Sequence, residues 1–84
     1  MRVISAGDAI AHENKALIDW LRLHGINPDD CFRIEEGGRQ IRFHCFKRNP
    51  LSGYKFKVLT ERGLEPATRI VTVDAKVTLA EAGI

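Results

Sequence analysis

The spacing of apolar residues in this chain changes once, across Leu23-His24-Gly25-Ile26-Asn27-Pro28, and that switch separates a helical pattern from a strand pattern. Before it, the sequence predicts one amphipathic helix over 5–24. At 100° per residue Ile10, Leu17, Ile18, Trp20 and Leu21 share a broad apolar face, with His12, Lys15, Asp19 and Arg22 opposite. Ser5 precedes Asp8 at capping-box spacing, and Asp8 is itself a possible cap. Lys15 with Asp19 and Asp19 with Arg22 form ion pairs worth a few tenths of a kcal/mol each on the wet face. Asn14 and Glu13 fall inside the apolar arc, either at its N-terminal rim or, for a buried Asn, as a device pairing two subunits. The stop signal is sharper than the start. Gly25 can take the left-handed cap position, Ile26 can fold back toward Leu21, and Pro28 forbids continuation, while His24 as an imidazolium suits the helix C-terminus.

After Pro28 the period is two. Asn27-Pro28-Asp29-Asp30 suits a type I turn, and Phe32 and Ile34 then share one face of a first strand. Glu36-Gly37-Gly38-Arg39 reads as a hairpin turn, followed by a strand over 40–48. That strand puts Ile41, Phe43 and Cys45 inward and Gln40, Arg42, His44 and Phe46 outward. A two-residue Gly37-Gly38 turn sets Ile34 opposite Ile41, Phe32 opposite Phe43, and Cys31 on the outer face opposite His44. Beyond the Asn49–Gly53 turn, Tyr54, Phe56 and Val58 read as the inward set of a third strand, with Lys55 and Lys57 outward. The β-branched run Thr68–Val73 reads as a fourth, with the face of Ile70 open.

The expected fold is therefore α+β in two layers: one N-terminal amphipathic helix packed on a three- to four-stranded antiparallel meander. The whole chain, 1–84, is expected to form a single domain, with the helix at 5–24, the sheet at 31–74, and a flexible or docking tail at 75–84. Thr78 and Glu81 have capping-box spacing, but the tail is too short for a self-supporting helix. A helix covers about 10 Å of sheet width and four strands span nearly 20 Å, so the inward surface looks under-covered. A homodimer would supply the missing cover.

Enzyme parts are scarce. The chain has no phosphate-loop, dinucleotide-binding or zinc-protease motif, so no cofactor is expected. Cys31 and Cys45 match neither a zinc knuckle nor a redox motif, and the expected register keeps them apart, so no disulfide and no metal site are expected. His44 beside Cys31 lacks an orienting acid and an oxyanion donor, which leaves no catalytic residue to name and a non-enzymatic role to expect. No apolar run is long enough to span a bilayer and Met1–Ser5 lacks a signal-peptide core, which points to the cytoplasm.

The positive signal is the outward sheet face. Thirteen Lys and Arg against eleven Asp and Glu give only +2 overall. Yet Arg42, His44, Phe46 and Arg48 alternate on one strand, Lys55 and Lys57 sit on the next, and Arg69 can join them. Cations beside an exposed aromatic are what a single-stranded nucleic-acid platform uses, and also what an ordinary solvated sheet face or an acidic protein contact presents.

Three segments carry a resemblance: Trp20–Asp30, Gly38–Phe43 and Gly63–Val73, the last containing Glu65-Pro66-Ala67-Thr68. Together they resemble small proteins of unassigned function carried by bacteriophages of actinobacteria and by prophages in those hosts. Those proteins have a helix ending in W-L-x-x-H/N-G-I-x-P, a central strand rich in Ile, Arg and aromatics, and an E-P-A-T segment before a final strand. The likeness covers about residues 9–74 and implies common ancestry and fold, with no catalytic or ligand residue to transfer. The Tyr54–Thr60 stretch and the tail beyond Asp74 depart from the pattern. A phage-encoded protein that binds a host or phage macromolecule in the bacterial cytoplasm is the function implied. A nucleic-acid-binding accessory protein using the basic face is the alternative.

Overall fold

Period-two alternation and β-branched content make strands the main secondary structure of this chain. The computed structural model describes residues 1–5 and 14–84. In chain order the elements are β1 (Arg2–Ser5), α1 (Lys15–Leu23), β2 (Cys31–Gly37), β3 (Gln40–Phe46), β4 (Lys57–Thr60), β5 (Gly63–Pro66) and β6 (Thr68–Asp74). β1, β2, β3 and β6 form one antiparallel sheet in that order, and β4 and β5 pair only with each other.

The expected fold, an N-terminal helix laid over a meander, is corrected on each count. The chain begins with a strand, because Val3 and Ile4 are β-branched and Ile4 pairs with Ile34 at the sheet edge. Ser5 ends that strand. The helix is a nine-residue second element rather than an N-terminal cover spanning 5–24. Its cap is Asn14, whose Oδ1 accepts the Leu17 N–H at 3.1 Å; this is the place of the Asn that seemed out of position on the apolar arc. Asp8, Ile10, His12 and Glu13 lie outside the described residues.

The meander also fails. After β3 the chain turns at Asn49–Gly53, but only Arg48 and Lys55 pair across that turn, and the chain then leaves the sheet. Tyr54, Phe56 and Val58 are consequently exposed rather than inward. The place beside β3 goes to β6, which contributes Val71 and Val73 opposite Phe43 and Ile41. Those valines pack on the core, and Ile70 faces out at 59% exposure.

The helix stop behaves as its residues dictate. Gly25 has φ +74°, and the Gly25 and Ile26 N–H groups donate to the Arg22 and Leu21 carbonyls, each at 3.0 Å. Ile26 is buried. His24 differs from expectation: its Nε2 accepts the Lys76 N–H at 3.0 Å, so Nδ1 must carry the proton, which it shares with the Trp20 carbonyl at 2.9 Å.

Of the two expectations for the 75–84 tail, flexible or docking, the structure has the docking one. It docks on its own chain and supplies the cover that one helix cannot. Leu79 is fully buried, Trp20 Nε1 donates to the Val77 carbonyl at 2.7 Å, and the Leu79 N–H donates to Glu36 Oε2 at 2.9 Å. Thr78 and Glu81 exchange the reciprocal bonds of a capping box at 3.0 and 3.2 Å, and Arg39 holds Glu81 at 3.1 Å. Leu17, Trp20, Leu21, Ile34, Ile41, Phe43, both cysteines, Ala75 and Leu79 therefore form one core on the inner face. Leu79→Ala is expected to cost about 2–5 kcal/mol by urea unfolding, as for other buried leucines; a change within about 0.5 kcal/mol, typical of surface sites, would contradict the docked tail.

Candidate functional site

The outer face is arranged by an irregularity in the first hairpin. The two-residue loop is Gly38-Arg39, with Gly38 at φ +61°, rather than Gly37-Gly38. A positive φ at the first loop position is what a type II′ hairpin requires of glycine. The closing pair becomes Gly37 with Gln40, which sets Ile34 opposite Phe43 and Glu36 opposite Ile41, in place of the expected Ile34–Ile41 and Phe32–Phe43 pairs. Continued to the strand's start, this register would put Phe32 opposite Cys45 in the core. A β-bulge between Cys31 and Arg33 intervenes, and Cys31 takes that place instead.

Two consequences follow. Cys31 and Cys45 are buried neighbours across the ladder, not on opposite faces as the expected register had them; both are free thiols. The hydrogen bond between them, together with burial, pushes the Cys31 thiol far above its ordinary value. Phe32, displaced outward, lies against Phe46 with ring centroids 4.6 Å apart and meets the edge of His44 at 6.2 Å. The outer face thus carries two phenylalanines and an imidazole, where the sequence reading saw one exposed aromatic. Phe32 lines an open groove of about 480 Å³ together with Arg33, Phe46, Glu65 and Pro66.

Charge is placed around these rings. Lys55 Nζ sits 4.9 Å from the Phe46 centroid and donates to the Asp29 carbonyl at 2.7 Å. Glu35 hydrogen-bonds His44 and lies 3.6 Å from Arg33, so one carboxylate orients both an imidazole and a guanidinium. The His44 hydrogen bond, aided by Arg33, holds the Glu35 carboxyl below its ordinary value.

Of the residues picked out from sequence, Arg42, His44 and Phe46 share the outer face of β3, in register with Glu35, Arg33 and β6. Lys55 joins them over Phe46, and Lys57 lines the same depression with Phe56 and Pro66. Arg48 is tied by Nε to the buried Asp30 carboxylate at 2.8 Å, which offsets its charge. Arg69 pairs with Cys45 on the inner face of β6, and it reaches Phe46 and Arg48 only at the sheet's end, where the three line one open depression. Phe32, Arg33 and Glu35 are the members that sequence alternation missed, since a bulge breaks the period-two rule at that point.

No protein-family model, no curated protein and no solved structure matches the chain. Among the described residues no helix is long and apolar enough to cross a membrane.

A carboxylate whose value is lowered in the folded state contributes above its ordinary value and loses that contribution as pH falls through the lower one. Glu35 should accordingly titrate below 4.5 when followed by its side-chain carbon shift, and His44→Ala should move the midpoint upward toward 4.5. An unchanged midpoint in that variant would refute the pairing.

Proposed function

We propose that this chain is a non-enzymatic binding module of the bacterial cytoplasm, phage-encoded as its resemblance implies, and that its outer sheet face holds single-stranded nucleic acid. The supporting observation is the Phe32–Phe46 ring pair at 4.6 Å on the face opposite the helix and tail, with Lys55, Lys57, Arg33 and Arg42 around it. Aromatic rings on an open antiparallel sheet stack bases of any sequence, and the flanking cations meet phosphates. Arg42, Lys55 and Lys57 carry the charge of this face, since among the described residues none of them makes an ion pair, whereas Arg48 is committed to Asp30.

Fluorescence anisotropy with labelled oligothymidylate and oligouridylate tests this reading. Affinity should fall with rising salt, with a log–log slope of about −2 to −3 for three or four phosphate contacts. Arg42→Glu combined with Lys57→Glu should abolish binding, and Phe46→Ala should weaken it roughly 5- to 100-fold, the worth of about one stacked base. No binding at low salt, or binding indifferent to Arg42→Glu, would overturn it.

A second reading, a host or phage protein partner, draws on a different place. Leu59 and Leu64 face each other across the β4–β5 ribbon and are 80% and 70% exposed. Such a cross-strand apolar pair at the surface is what a protein contact buries. Affinity capture from a host lysate, nuclease-treated, should then retain a protein that Leu59→Asp with Leu64→Asp releases; retention by the double variant would discard this reading.

A further inference from the structure

We infer that β6 is the seam of a symmetric dimer, in which the four-stranded sheets of two copies join edge to edge through this strand. The sheet order β1-β2-β3-β6 leaves β6 at an edge, and it is the longer of the two edge strands, Thr68–Asp74 against Arg2–Ser5. Its direction of hydrogen bonding can be read from its ends. Lys47 N–H donates to the Ala67 carbonyl at 2.8 Å and Ala75 N–H donates to the Arg39 carbonyl at 2.6 Å. Antiparallel ladders alternate, so Arg69, Val71 and Val73 turn their main-chain groups toward β3, while Thr68, Ile70, Thr72 and Asp74 turn theirs outward. Among the described residues no strand pairs with that outer row.

Natural edges are usually blunted by proline, lysine, a bulge or shortness. β6 lacks all four and carries one inward-pointing charge, Arg69, near its start: it contains neither proline nor lysine, and it pairs with β3 without a register shift over all of its residues. It also presents Ile70 to solvent at 59% exposure.

A second copy is the partner this edge fits, because the row is complementary to itself. With the twofold axis at Val71, Ile70 pairs with Thr72 of the second copy and Thr68 with Asp74, which engages all four outward residues and forms about eight N–H···O bonds. Moving the axis to residue 70 or 72 leaves one of the four unmatched. The same register brings Val71 beside its own copy and Arg69 beside Val73, so no like charges stand directly opposite, as they would with the axis at Arg69. The valines already pack on the core, and the joined sheet continues the apolar inner face from one copy to the other. None of this depends on what the outer face binds.

Thr72→Pro separates the seam from the fold. The Thr72 N–H points away from β3, so proline there removes bonds to a second copy and none within the chain. Sedimentation equilibrium should give about twice 9.4 kDa for the native protein and 9.4 kDa for the variant, with unchanged far-ultraviolet circular dichroism. Val71→Cys supplies an independent reading: mild copper-phenanthroline oxidation should crosslink two copies through that residue, and Leu59→Cys should not crosslink under the same conditions. A native protein that stays at 9.4 kDa at hundreds of micromolar, a Thr72→Pro dimer, or absence of the Val71→Cys crosslink would each overturn the inference.

Discussion

The bulge between Cys31 and Arg33 is the constraint on which both faces of the sheet depend. A regular strand puts adjacent residues on opposite faces, and the hairpin loop at Gly38-Arg39 alone would place Phe32 in the core opposite Cys45. One extra residue exchanges the two. The small Cys31 enters the core, where its neighbours leave no exposed surface, and the large Phe32 is delivered to Phe46. Core volume and surface chemistry are settled by a single irregularity. Bulges are common where a strand has to re-aim one side chain, and here the re-aimed side chain completes an aromatic pair.

The other constraint is size. The nine helical residues among those described cannot cover a sheet of four strands, and the C-terminal segment adds cover from within. The last ten residues fold back under Trp20 and Glu36, and their buried polar groups find partners: the indole N–H meets the Val77 carbonyl, and the Leu79 N–H meets a carboxylate. With the inner face closed this way, the surfaces left for partners are the outer face, the β4–β5 ribbon and the edge at β6.

What could be read from sequence was whatever depends on neighbours in the chain. The Gly25 cap with Ile26 folding back, the inward Ile41-Phe43-Cys45 set and the Thr78–Glu81 capping box are each fixed within a few residues, and each stands in the structure. Choices between distant pairings were not legible. Tyr54–Val58 and Thr68–Val73 both alternate like strands that could lie beside β3, and only the competition for that place, won by β6, decides between them. Val3-Ile4 is too short a run to announce an edge strand. At the candidate site Arg42, His44, Phe46 and Lys55 were legible by alternation. Phe32 and Arg33 were not, because a bulge leaves no mark in hydrophobic periodicity, and Arg69 fell to the other face with the register of β6.

The register of the first hairpin, which sets both faces of the sheet, is directly measurable. A proton nuclear Overhauser spectrum of the free protein should show a strong Ile34 Hα–Phe43 Hα contact, since these residues form a closely spaced pair, together with contacts between the Phe32 and Phe46 rings. Contacts from the Phe32 ring to the Phe43 ring, with Ile34 opposite Ile41, would mean a regular hairpin closed by a Gly37-Gly38 loop. That result would return Phe32 to the core and dissolve the aromatic pair on the outer face.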